Sequence, residues 1–302
     1  MKHKQKYKAF GRSLLLPAAA VLLVVPTVRA QATSDASGTD PQTSASVISA
    51  GGSENHYTWV EEFEGSSNKD GQVMLLDSSA GYVLGRHLLV GGGIPVYFVR
   101  TTTTSLSGTS TTNSFTALGD VYAQARLSFA NPVLNFKTQL TGRAPTGSTS
   151  DGISTGHATY DWTNRIDRGF GNWTPFLEAG LADSIPDAFI YRRPFVSYGN
   201  VAHFQLGAQY RVTQWMGVAA SAFDVAPWGT QTIDSRGNGN SKRATGGSSL
   251  AADNGFSAGV DLAPARAIDF TVGYSRSTHY HLNTISFGVV VNMREILRRP
   301  GL

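Results

Sequence analysis

Between Ala117 and Gly147 the chain alternates apolar and polar residues in two successive runs. In the first, Val121, Ala123, Ala125, Leu127 and Phe129 share one side, and Tyr122, Gln124, Arg126 and Ser128 share the other. In the second, Leu134, Phe136, Thr138, Leu140 and Ala144 oppose Asn135, Lys137, Gln139, Thr141 and Arg143, with Asn131-Pro132 between the runs. Strand side chains alternate faces, so each run has one greasy face and one wet, charged face. Together they predict an antiparallel hairpin. Strands of a soluble β-sandwich also alternate, so the distinction rests on how often the pattern recurs and what precedes it.

A basic stretch (Lys2, Lys4, Lys6, Lys8, Arg12), an apolar run from Leu14 to Val25 and Val28-Arg29-Ala30 together read as a secretory signal peptide over 1–30. Its apolar run is too short to span a bilayer as a helix. Six of the 25 basic residues and none of the 21 acidic ones lie in that segment, which leaves 19 against 21 and a mature net charge of about −2. The basic balance of the full chain therefore comes from targeting and gives no support to nucleic-acid binding. With no cysteine, a disulfide framework and a thiolate metal site are both excluded. Residues 31–56, rich in Ser, Thr, Gly and Ala without periodicity, predict a disordered lead-in.

From Tyr57 onward twelve candidate strands follow: 57–66, 71–84, 87–100, 116–130, 133–145, 157–168, 172–183, 198–212, 215–228, 254–263, 266–276 and 282–293. Glu61 and Asp224 each spoil a face in the first and ninth. Short connections (Gly85-Arg86-His87, Asn131-Pro132, Gly169-Phe170-Gly171, Thr213-Gln214, Pro264-Ala265) are interleaved mostly with long polar ones (101–115, 146–156, 184–197, 229–253). Sorting of loop length by parity, an even strand number and runs of spanning length together predict an all-β, up-and-down antiparallel transmembrane β-barrel of about 12 strands over 57–293. Phe129, Phe136, Trp173 and Trp215 flank short turns, and Tyr97, Phe98, Tyr160, Trp228 and Tyr274 lie near the other strand ends, as two interfacial aromatic belts would.

Gly119-Asp120-Val121, a strand pair ending in Ala144-Pro145-Thr146-Gly147, then Gly156 and Asp161-Trp162 resemble the outer-membrane family named for the meta-pathway of phenol degradation. The resemblance covers roughly 117–182 and implies a porin-like barrel passing small, often aromatic, molecules. The chain departs from the usual aromatic C-terminus of such barrels, because a tail of 294–302 follows Met293.

Charge on a lipid face costs about 2–4 kcal/mol for Arg or Lys near mid-membrane. The wet-face charges Asp77, Asp120, Arg126, Lys137, Arg143, Asp161, Arg165, Asp167, Glu178, Arg211, Asp261 and Asp269 are therefore expected to line the lumen. They set solute selectivity there, or else fill a narrow barrel as salt bridges. Arg192 and Arg193, in an aromatic and basic loop, are candidates for a constriction. Gly152-Ile153-Ser154-Thr155-Gly156 matches a nucleophile-elbow pattern but lacks the following helix, so it reads as a flexible loop. His279 and His281 lack a third metal ligand nearby, and Gly91-Gly92-Gly93 marks a bend or close packing.

The expected role is passive passage of a small-molecule solute through an outer-membrane channel, without catalytic residues, metal or other cofactor. The alternatives are a structural or adhesive barrel with a filled lumen, and an outer-membrane lipid-modifying enzyme. The partners expected are membrane lipid, lipopolysaccharide and the barrel-assembly machinery, with no nucleic acid.

Overall fold

The computed structural model describes residues 55–297 apart from 70, 105–109, 132, 186–192, 194, 238–241 and 266. The signal peptide expected over 1–30 and most of the lead-in lie outside these residues, as does Arg192. The described strands are β1 (His56–Asn68), β2 (Gly71–Leu84), β3 (Leu88–Thr104), β4 (Ser110–Leu118), β5 (Tyr122–Ala130), β6 (Asn135–Arg143), β7 (Thr159–Asp167), β8 (Trp173–Ala182), β9 (Phe195–Tyr198), β10 (Val201–Arg211), β11 (Met216–Pro227), β12 (Gln231–Ser235), β13 (Arg243–Gly246), β14 (Asp253–Ala265), β15 (Ile268–Ser277) and β16 (Leu282–Asn292). A short helix, α1 (Met293–Leu297), ends the described chain.

Twelve of these strands close into an antiparallel barrel in the order β1-β2-β3-β5-β6-β7-β8-β10-β11-β14-β15-β16, with β16 pairing back onto β1. Closure leaves no wall edge unpaired around most of the circumference. Twelve strands about 4.8 Å apart and tilted about 40° enclose a cylinder about 24 Å across between backbones.

The predicted fourth strand is two. The lower part of β3 pairs with β5 (Gly93↔Tyr122) and the upper part with β4 (Val96↔Leu118), and the chain breaks at Gly119–Val121 between them. The segment 101–115, expected as a loop, is instead mostly the continuation of β3 into β4. The connection 229–253, expected as a long polar loop, contains β12 and β13, which join β9 in a separate three-stranded sheet at the long-loop end.

The burial pattern is inverted relative to a water-soluble domain. Large apolar side chains point outward, with Leu206 63 % and Ile285 65 % exposed, while Arg165 and Glu178 point inward at 6 % and 4 %. An apolar outer face this extensive matches hydrocarbon rather than water. Glu61 and Asp224, which spoiled the alternation, sit on that outer face. Both oxygens of Glu61 are satisfied, one by the Trp59 indole N–H (2.7 Å) and one by the Ser78 hydroxyl (2.6 Å). Phe129, Trp173 and Trp215 are exposed at the short-turn end, but Tyr97 points inward and is not part of a belt.

Candidate functional site

The lumen is built from the wet faces of the wall strands. Across β5, β6, β7, β8 and β10 the register aligns Ser128, Lys137, Arg165, Glu178 and Gln205 in one inward row. Arg165 anchors it. Its guanidinium lies 3.6 Å from Asp167, 4.0 Å from Glu178 and 3.9 Å above the Phe176 ring, all on the inner face. Asp167 also accepts from the Asn135 amide at 2.8 Å. Charges this buried persist only when paired, and this row is an ion-pair network rather than a line of free cations.

Of the other residues expected in the lumen, Arg126 is buried on β5 and Asp161 bonds the His203 Nε2 at 3.0 Å. His203 is a site residue that sequence reasoning did not mark out. A Cβ on Gly180 would lie 2.2 Å from that Nε2, so glycine there makes room for the imidazole. Lys137, Arg143, Asp261 and Asp269 are part-buried at inward positions. Arg211 differs: it ends β10 at the short-turn rim and is exposed, because the strand stops there. Asp77 accepts from the Tyr122 hydroxyl at 2.7 Å.

Asp120 does not line the wall. It sits in the break between β4 and β5 and anchors the segment after β6. Its carboxylate accepts from the Gly147 amide (2.9 Å) and the Ser154 hydroxyl (3.1 Å). Thr146 completes the junction, accepting from the Val121 amide at 2.9 Å and donating to the Gly119 carbonyl at 3.1 Å. The two short motifs around 119–121 and 144–147 are therefore two halves of one contact.

That junction directs the loop inward. Ile153 packs against Val73, Leu75, Tyr97 and Val99, whose side chains face the lumen near the long-loop end. Ser154, expected in a flexible loop, is fully buried, and His157 stacks on Tyr198 at 4.5 Å. The Gly237 amide donates to the Asp151 carbonyl at 3.1 Å, and Arg236 lies 4.9 Å over the Tyr97 ring. Arg193, the described member of the expected constriction pair, is also buried. It donates to Asp253 at 3.1 Å, and the Ser277 hydroxyl donates to the same carboxylate at 2.5 Å. Three loop segments thus fold into the long-loop end of the lumen. Sequence reasoning missed Asp253 because nothing local ties it to a loop sixty residues earlier.

His279 and His281 lie in the turn between β15 and β16, and no group of three metal-ligating side chains occurs among the described residues. Gly93 sits under the Tyr122 ring, which accounts for part of the glycine triplet as close packing.

The architecture has a solved counterpart. The chain shares its fold with a bacterial outer-membrane channel. That structure, an outer membrane channel from Pseudomonas putida F1, superimposes with a TM-score of 0.56 at 14% identity, covering 78% of this chain and 95% of that one. The NanC porin (TM-score 0.46, 8% identity, 76% and 98% covered) and the KdgM porin in complex with disordered oligogalacturonate (0.45, 9%, 77% and 98%) are more distant. No family model and no curated protein sequence matches the chain, so the resemblance to the meta-pathway family stays at its short motifs.

Proposed function

We propose that the protein is a channel of the bacterial outer membrane that lets a small polar solute diffuse through the barrel lumen. The reading is carried by the wall: its outer face is apolar, and its inner face holds Arg126, Lys137, Arg165, Asp167 and Glu178. A wall of that kind belongs in a bilayer with water or a polar solute inside. The fold shared with a solved channel supports it. No bond is made or broken in this reading, and the nucleophile-elbow serine supports none, since Ser154 is buried against Asp120.

A structural barrel with a filled lumen is the second reading. The inward-folded segment with Ile153 and Ser154 favours it. Single-channel recording of the refolded chain in a planar bilayer separates the two, with folding verified beforehand by a heat-sensitive gel shift. Discrete conductance steps are expected. A folded barrel that stays silent overturns the channel reading in favour of the filled one.

A further inference from the structure

Cations reach the outer face of the wall at one place. Of the Lys and Arg side chains on the described wall strands, only Arg100 on β3 and Arg276 on β15 point outward. Alternation fixes both, because their neighbours Val99 and Ser275 are buried on the lumen side while Phe98 and Tyr274 are exposed outside. Both arginines sit at the long-loop end, and the exposed Lys69 lies between them in the turn from β1 to β2. The register ties them together. Arg100 is opposite Gln72, Gln72 opposite Ser67, Ser67 opposite Ile285 and Ile285 opposite Tyr274, across β3, β2, β1, β16 and β15. Arg276 is the next outward residue after Tyr274 and faces Asn283 on β16. Four strand spacings set the two arginine backbones about 19 Å apart along the wall.

A cation on a lipid-facing wall costs about 2–4 kcal/mol at the midplane but only about 0–1 kcal/mol near the interface. Arg100 and Arg276 therefore mark the level of the lipid headgroups on this side. Asn283 holds Arg276 there, its Oδ1 accepting from the guanidinium at 3.3 Å and from the Tyr274 hydroxyl at 2.9 Å. Towards mid-membrane the same strands turn apolar at once, with Ile285, Phe287, Phe98 and Val272 exposed on the outer face. The outward acids lie apart from the arginines. Glu61 is six residues below Ser67 on β1, and Asp224 is on β11, two strands along from Arg276.

Long loops of bacterial outer-membrane barrels face the cell exterior, so this patch meets the outer leaflet. Resting on the outer-membrane placement above, though not on passage through the lumen, we propose that it binds the phosphorylated lipid A moiety of lipopolysaccharide. Arg100 and Arg276 take its phosphates, for which the planar guanidinium fork is suited. Gln72 and Ser67, between them, face the sugars, and the acyl chains lie along Ile285, Phe287 and Phe98. A phospholipid brings a single phosphate, whereas two arginines held four strands apart suit a disaccharide with a phosphate at each end.

The test is a titration of the full refolded chain with lipid A in detergent micelles, read by native mass spectrometry. A discrete lipid A adduct is expected on the wild type. Arg100→Gln and Arg276→Gln each weaken it by about tenfold, the worth of one charge-assisted bond. Arg86→Gln, in an exposed turn at the opposite end, leaves it unchanged. Removing both phosphates from the lipid weakens binding to the wild type as the two substitutions together do. Equal binding of lipid A with and without phosphates, equal binding by wild type and double variant, or equal binding of phosphatidylglycerol overturns the proposal. The heat-sensitive gel shift verifies folding of each variant, and if one fails to fold the lipid comparisons on the wild type decide alone. The same preparation is recorded in a planar bilayer. A conducting barrel indifferent to lipid A overturns the patch and leaves the channel standing, while a silent barrel that binds it overturns the channel and leaves the patch.

Discussion

Tyr122 on β5 and Asp77 on β2 are joined by a 2.7 Å hydrogen bond that crosses the whole of β3. The bond exists because β3 carries Gly93 at the crossing, where a Cβ would lie 2.5 Å from the phenolic oxygen and 2.9 Å from the Ser78 carbonyl. Gly93→Val is expected to expel the ring and destabilise the barrel by about 1–3 kcal/mol as an overpacked site. Tyr122→Phe removes only the donor, a loss of about 1–3 kcal/mol for a carboxylate left short of a bond. Since both changes break one contact, the double variant should fall short of the sum. Urea unfolding in detergent micelles reads all three.

Gly180 and His203 pose a similar test inside the ion network. Gly180→Ala puts a methyl group where the imidazole lies, pushing His203 away from Asp161. A drop in the unfolding midpoint is expected. Adding His203→Ala to Gly180→Ala should recover part of it, because the clash disappears. No recovery would mean that Gly180 is required for its backbone rather than for the space it leaves.

Arg193 and Asp253 pin a long loop to the wall, both within 4 % exposure. Removing one partner of a buried pair strands the other charge, a penalty of about 3–5 kcal/mol. Arg193→Ala is expected to release the long-loop end locally without opening the barrel. Faster proteolysis within 184–197 and noisier open-channel current in the variant would report it, with the heat-sensitive gel shift unchanged.

Asp183, just beyond the end of β8, gives a pH dependence. Burial holds its carboxyl above the ordinary carboxylate range, while the bond from the Tyr160 amide at 2.8 Å pulls the other way. The proton is therefore held more tightly folded than unfolded. The stability it lends is complete below the ordinary carboxylate pKa and is lost as pH rises through the raised value. Asp183→Asn keeps an acceptor for the Tyr160 amide and removes that loss. The variant should be at least as stable as the wild type at pH 7, and its stability should fall less between pH 4 and neutrality.

Strand-level features were legible because their signal is local. Alternation along β5 and β6 assigned each residue to a face correctly, since a strand has a period of two wherever it is placed. The parity of loop lengths marked the two ends. Glu61 hid the inward Glu62 and Glu64, because one charge on the outer face made the whole of β1 look irregular. Its neighbours Trp59 and Phe63 on that face, against Thr58, Glu62 and Glu64 on the other, held the correct assignment.

The sequence by itself determined the closed antiparallel barrel, its two faces and which charges are denied the outer face. These follow from the spacing of apolar residues and from the cost of charge in hydrocarbon. Only the tertiary structure decided what those charges do. Asp120 meets Ser154, Asp161 meets His203 and Arg193 meets Asp253, pairs separated by 34 to 60 residues. Ring closure and strand register set these meetings, together with the break at Gly119–Val121 that turns a loop inward. None of these leaves a trace in local periodicity, because each is a relation between faces of different strands rather than a property of one.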